Sequence, residues 1–239
     1  MTNIPSRTSP QRNARIAGAL YLLLVPLGFF GMFASSGIVV PGDAAATVNH
    51  ILASESLFRF SIVVAMLVQI VNILVVLALY RLLKPVNKDM AALMVIFLLL
   101  GVPIAMLNEL IQFGVLALVH HAGALQGFSS GQIQALVPML IDLHQAGINI
   151  AGVFWGLWLF PMGYLVFKSG FLPKILGILL IIGCLGYLVD SFSGFLIPGF
   201  NVNVAMFTFW GEVLLPLWLL IKGVNIERWE KCMAEAEPA

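Results

Sequence analysis

The sequence predicts an all-α, integral membrane bundle of six transmembrane helices, with both termini cytoplasmic and two short extracytoplasmic amphipathic helices. Three observations predict it. Hydrophobic residues make up 61% of the 239 residues and charged residues only 10%, against roughly 45–50% and about 25% in an ordinary soluble domain. Six runs, residues 16–38, 57–83, 90–119, 148–167, 175–195 and 204–221, are apolar enough to cross a hydrocarbon core, which takes about 20 residues per helix. The basic residues also sort to one side. With the N-terminus inside, Arg7, Arg12, Arg15, Arg81, Lys84, Lys88, Lys168, Lys174, Lys222, Arg228 and Lys231 all fall inside, and Arg59 alone falls outside.

The same sorting narrows the partners. A formal net charge of +1, spread along one membrane edge, leaves no patch for nucleic acid and suits the anionic lipid of an inner leaflet. The lipid bilayer is therefore the expected partner. Cys184 lies in span five and Cys232 in the tail, so no disulfide framework or CxxC motif is present.

Along the chain, residues 1–15 are polar and read as a flexible cytoplasmic arm, 16–222 as the six-helix membrane domain, and 223–239 as a charged cytoplasmic tail. Span one follows three arginines and ends in FASSG, but its apolar run exceeds the 7–15 residues or so of a cleaved signal, so it is read as retained. After PGD, residues 41–43, Asp43 is placed to cap a short helix over 44–53. Spans two and three are joined by KPVNKD, and spans four and five by KSGFLPK; links this short predict antiparallel neighbours. Beyond GFSSG, residues 127–131, Ile133, Leu136, Val137, Leu140 and Ile141 recur at helical spacing and predict a second surface helix feeding span four. Pro26, Pro103, Pro161 and Pro216 sit inside spans, where each frees a carbonyl four residues earlier. Gly152 and Gly156 form a GxxxG pair, a close-approach face that would suit a homodimer.

The chemistry sits in polar residues within the apolar runs. Asn108, Glu109 and Gln112 share one face of span three, being three and four apart. Gln69 and Asn72 repeat the device in span two, Asp190 closes span five, Asn149 opens span four, and Glu212 lies in span six. An acidic side chain at the centre of a lipid-facing helix costs about 2.5–3.5 kcal/mol. Glu109 and Glu212 are therefore expected to face the bundle interior, with the polar faces converging on one cavity in the outer half of the membrane. Arg59 either pairs along its own helix with Glu55 or turns inward to Asp190 or Glu109. The candidate ligand-binding set is Arg59, Glu109, Gln112, His144, Asp190 and Glu212, for a small molecule or a proton.

His120, His121, Asp142 and His144 group by sequence on the outer side and are the weak candidates for a metal, since a catalytic zinc takes three such ligands. No HExxH or similar pairing supports it, and no motif predicts a cofactor.

ILASESLFR at 51–59, YRLLKPVN at 80–87, IDLHQAG at 141–147, and GYLVFKSGFLPKILGILL with GYLVDS at 163–180 and 186–191 carry a resemblance. Over residues 15–198 the chain resembles the polytopic bacterial membrane family called domain of unknown function 4386. The resemblance implies a multi-pass protein of the bacterial cytoplasmic membrane and supplies no substrate. It places Glu55, Arg59, His144 and Asp190 within family-like motifs, and Glu109 and Glu212 outside them.

Three functional classes follow: a carrier or small-ligand binder using an outward-facing acidic cavity, a noncatalytic membrane partner or scaffold, and a membrane-embedded metal-dependent hydrolase. The first fits the buried acids best.

Overall fold

In the computed structural model the described residues are 9–236 except 36, 41, 121–127, 198, 200 and 201, and among them there are helices and no strands. The elements are α1 (Pro10–Ser35), α2 (Ala44–Ala53), α3 (Glu55–Leu83), α4 (Lys88–His120), α5 (Ser130–Leu157), α6 (Leu159–Lys168), α7 (Lys174–Leu196), α8 (Ala205–Thr208), α9 (Trp210–Ile221) and α10 (Ile226–Ala236). Five helical stretches among the described residues are long and apolar enough to cross a membrane, with α5 and α6 running as one; a sixth is added if Ala205–Ile221 and Ile226–Ala236, bent by 103°, are taken as one span.

Local chemistry explains the boundaries. Asp43 does cap α2, its Oδ1 accepting from the Ala46 N–H at 2.8 Å. The expected separate helix ahead of span four is instead continuous with it: Ser129 and Gln132 form a reciprocal capping box and α5 then runs unbroken through Leu157. Val137 of this stretch packs into the cluster with Ile51, Phe58 and Ile62, and His144 finds its partners on α4, so the segment belongs to the bundle and the helix does not break there. The break comes later, at Trp158, next to Pro161, which lacks the N–H that would reach the Leu157 carbonyl. In the turn before α7, Ser169 Oγ donates to the Val166 carbonyl at 2.8 Å and accepts from the Leu172 N–H, while Gly170 takes φ +69°. That positive φ is open to glycine at little cost.

The helix ends that carry the basic residues are tied together. Gln11 bridges α1 to the end of α9, donating to the Lys222 carbonyl at 3.0 Å and accepting from the Val224 N–H. α10 lies across this end, with Trp229 Nε1 donating to the Leu82 carbonyl and Arg228 donating to the Gly170 carbonyl, each at 3.0 Å. Above it the larger core gathers Leu79, Leu82, Met94, Leu98, Leu165 and Leu219, among others, from α1, α3, α4, α6, α7 and α9. A smaller cluster around Ile51, Phe58, Ile62 and Val137 closes the opposite end.

Helix contacts in the larger core are made through glycine. A Cβ on Gly18 would stand 2.7 Å from the Leu220 N and the Pro216 carbonyl oxygen, so α1 and α9 touch backbone to backbone there. Gly152 and Gly156 let α5 close on α7, against the side chains of Ser191 and Tyr187 and the Cys184 carbonyl. The face that suggested a homodimer is thus taken up within the chain.

Candidate functional site

The polar face of α4 meets α5 as the three- and four-residue spacing requires. Asn108 Nδ2 donates to the His144 carbonyl at 2.8 Å, His144 Nε2 lies 3.3 Å from Glu109 Oε1, and His144 Nδ1 lies 3.4 Å from Gln112 Nε2. A neutral ring with its proton on Nε2 satisfies both side-chain contacts, donating to the carboxylate and accepting from the amide. Gly147 makes room for Asn108 at this crossing, since any Cβ there would overlap the amide. Glu109 is only 6% exposed. This cluster forms one wall of a cavity of about 490 Å³, with Gln69, Ser61 and Gln145 also on its lining. Gln112 Oε1 is buried there without a hydrogen-bond partner.

Glu212 sits elsewhere. It lines a second cavity, of about 440 Å³, with Tyr21, Asn72, Trp158, Tyr187 and Phe209. Tyr21 OH donates to Glu212 Oε2 at 3.2 Å, while Oε1 is buried with no hydrogen-bond partner. Among the described residues lining this second cavity there is no Lys, Arg or His. The two cavities adjoin, since Gly28, Val68 and Trp155 line both. Asn72 Nδ2 reaches Gln69 Oε1 at 3.5 Å, one turn along α3 and in the neighbouring cavity.

The single convergent site expected from the sequence is therefore divided. Glu109, Gln112 and His144 come together; Glu212 faces an adjoining space; Arg59 and Asp190 join neither lining. Arg59 does not turn toward Asp190 or Glu109. Its Nε donates to Glu55 Oε1 at 2.6 Å, on the same exposed helix face, and His120 Nε2 shares that oxygen at 3.0 Å. Asp190 accepts from the Val204 N–H at 2.7 Å and the Ala205 N–H at 2.8 Å, using both oxygens to hold the start of α8. Satisfied by backbone donors, it needs no guest.

The metal candidates separate as well. His120 goes to Glu55, His144 to Glu109, and Asp142 is exposed, while His121 lies outside the described residues. Among the described residues no three His, Cys, Asp or Glu side chains come together as metal ligands. Sequence reasoning missed Tyr21, Trp155 and Trp158. Their only signal was an aromatic with a polar tip inside an apolar run, a pattern that membrane helices show widely.

These long apolar helices, with hydrogen-bonded acids kept off the lipid, define a multi-pass helical membrane protein. The family follows from the sequence comparison: the model described as Domain of unknown function (DUF4386) matches residues 16–223, and the chain belongs to that family. An uncharacterized protein of Archaeoglobus fulgidus is 34% identical over 164 residues, covering 69% of this chain and 84% of the relative. Its archaeal source means that a bacterial setting does not follow from likeness alone. No solved structure matches the chain.

Proposed function

We propose that this protein binds a small polar solute inside the membrane, and carries it or a proton, at the cavity shared by Glu109, Gln112 and His144. One observation supports the reading above all: an acid 6% exposed, wired to a histidine, stands on the wall of a space of about 490 Å³ where Gln112 keeps an unpartnered oxygen. Cavities of about 300–1,000 Å³ with a few convergent polar groups are the usual form of small-ligand sites. A group held away from lipid only for packing would be closed over by its neighbours.

With the basic end in the cytoplasm, as the positive-inside rule places it, this cavity lies toward the outer face, because its lining includes Ile38, Val39 and Phe58 from the opposite end of the bundle. The setting we assign is the cytoplasmic membrane, with both termini inside. A noncatalytic scaffold is the second reading, favoured by Asp190 and Arg59, whose polar atoms are engaged locally.

Cysteine accessibility tests the proposal. Gln112→Cys, in a chain whose Cys184 and Cys232 are replaced by Ser, should react with a membrane-impermeant methanethiosulfonate added outside intact cells. Leu107→Cys, on the lipid side of the same helix at 65% exposure, should not. Solutes that slow the reaction are then ligands. Equal inertness at both positions would remove the open polar cavity and leave the scaffold reading.

A further inference from the structure

The Glu212 cavity has a different character from its neighbour, and its chemistry selects a different guest. Its walls carry Tyr21, Trp155, Trp158, Tyr187 and Phe209, whose ring faces attract a positive charge. Its one carboxyl accepts from Tyr21 on Oε2 and has the Tyr187 hydroxyl beside it, while Oε1 has no hydrogen-bond partner. No cationic side chain among the described lining residues supplies the missing partner. A carboxyl group kept within a membrane bundle is normally paired with another polar or charged group. The space beside Glu212 is large enough for that partner to come from outside the chain.

The mouth of the cavity says where it would come from. Phe29 of α1 and Met206 of α8 both belong to the lining, yet they are 56% and 57% exposed. The opening therefore lies on the bundle flank between α1 and α8, where Phe33, Phe207 and Trp210 are exposed as well. An apolar, aromatic flank of this kind faces lipid rather than water. Lower down, α1 and α9 are in backbone contact at Gly18, so the gap exists only toward the end away from the basic residues.

We propose that the Glu212 cavity takes an amphipathic organic cation, an amine or quaternary ammonium head on an apolar body, admitted from the bilayer between α1 and α8. The head lies against the Glu212 carboxyl and the surrounding rings, and the apolar body fills the lining toward Phe29 and Met206. This site is distinct from the Glu109 cavity and stands or falls without it.

The test uses the full chain in lipid nanodiscs, with benzyltrimethylammonium as probe and neopentylbenzene as its neutral isostere, read by tryptophan fluorescence and equilibrium binding. The cation should bind about tenfold or more tighter than the isostere. Glu212→Gln should abolish that preference, and Glu109→Gln should leave it intact. Equal binding of cation and isostere to the wild-type chain, or an unchanged preference in Glu212→Gln, would overturn the proposal. Val25→Trp fills this cavity without touching the carboxyl, so it must abolish binding too, which keeps the test decisive if Glu212→Gln does not fold. For the route, a dextran-tethered benzyltrimethylammonium, which cannot enter lipid, should fail to bind; binding equal to that of the free probe would overturn lateral entry.

Discussion

Gly18 and Gly28 lie ten residues apart on α1 and meet opposite surroundings. A Cβ on Gly18 runs into the backbone of α9, whereas a Cβ on Gly28 has nothing within 4 Å, although Gly28 lines both cavities. The bundle is thus close-packed at its basic end and hollow further along the same helices. Close packing of that half holds the walls of the hollow half in fixed relation. A carrier or binder needs such an arrangement, since a site works only if its frame does not close over it.

Three substitutions would break or sharpen the contrast. Gly18→Ala should cost most, about 2 kcal/mol, because the atoms it meets are backbone and cannot rotate away; unfolding of the purified protein in detergent micelles, followed by circular dichroism, would read it. Gly28→Leu should change stability by less than about 0.5 kcal/mol, since its side chain enters open space. It should nevertheless abolish binding in both cavities, and retention of the ammonium probe by a folded Gly28→Leu protein would count against the hollow reading. Arg59→Ala should have the smallest effect, a melting temperature indistinguishable from wild type, because its ion pair with Glu55 is exposed to solvent. A large fall would mean that Arg59 holds the open end together.

The sequence made the helices legible where apolar runs were unbroken. Runs at 57–83, 90–119 and 175–195 correspond to α3, α4 and α7 within two residues or so at each end, because lipid demands continuous helix and the polar links are short. Elsewhere it misled. The apolar spacing of Ile133, Leu136, Val137, Leu140 and Ile141 read as a separate surface helix, but the segment is the first part of α5, where α4 supplies partners for His144 and the helix continues. The shared face of Asn108, Glu109 and Gln112 was readable from spacing alone, and so was its inward direction. How far each helix is rotated against its neighbours was not. That rotation sends Glu212 to Tyr21 and Asp190 to the α8 backbone, separating residues that composition alone would pool.

The length of the last apolar stretch carries a consequence of its own. Ala205–Ile221 measures about 26 Å at the rise of an α-helix, short of a hydrocarbon layer about 30 Å thick. If this stretch is the sixth span, lipids bordering it compress to match, at a modest cost for each ångström. Their headgroups then dip toward Phe29 and Met206, so a molecule leaving by that flank reaches polar surroundings sooner than it would beside any longer helix. Local thinning of the bilayer would thus give this short apolar stretch a part in how a guest departs.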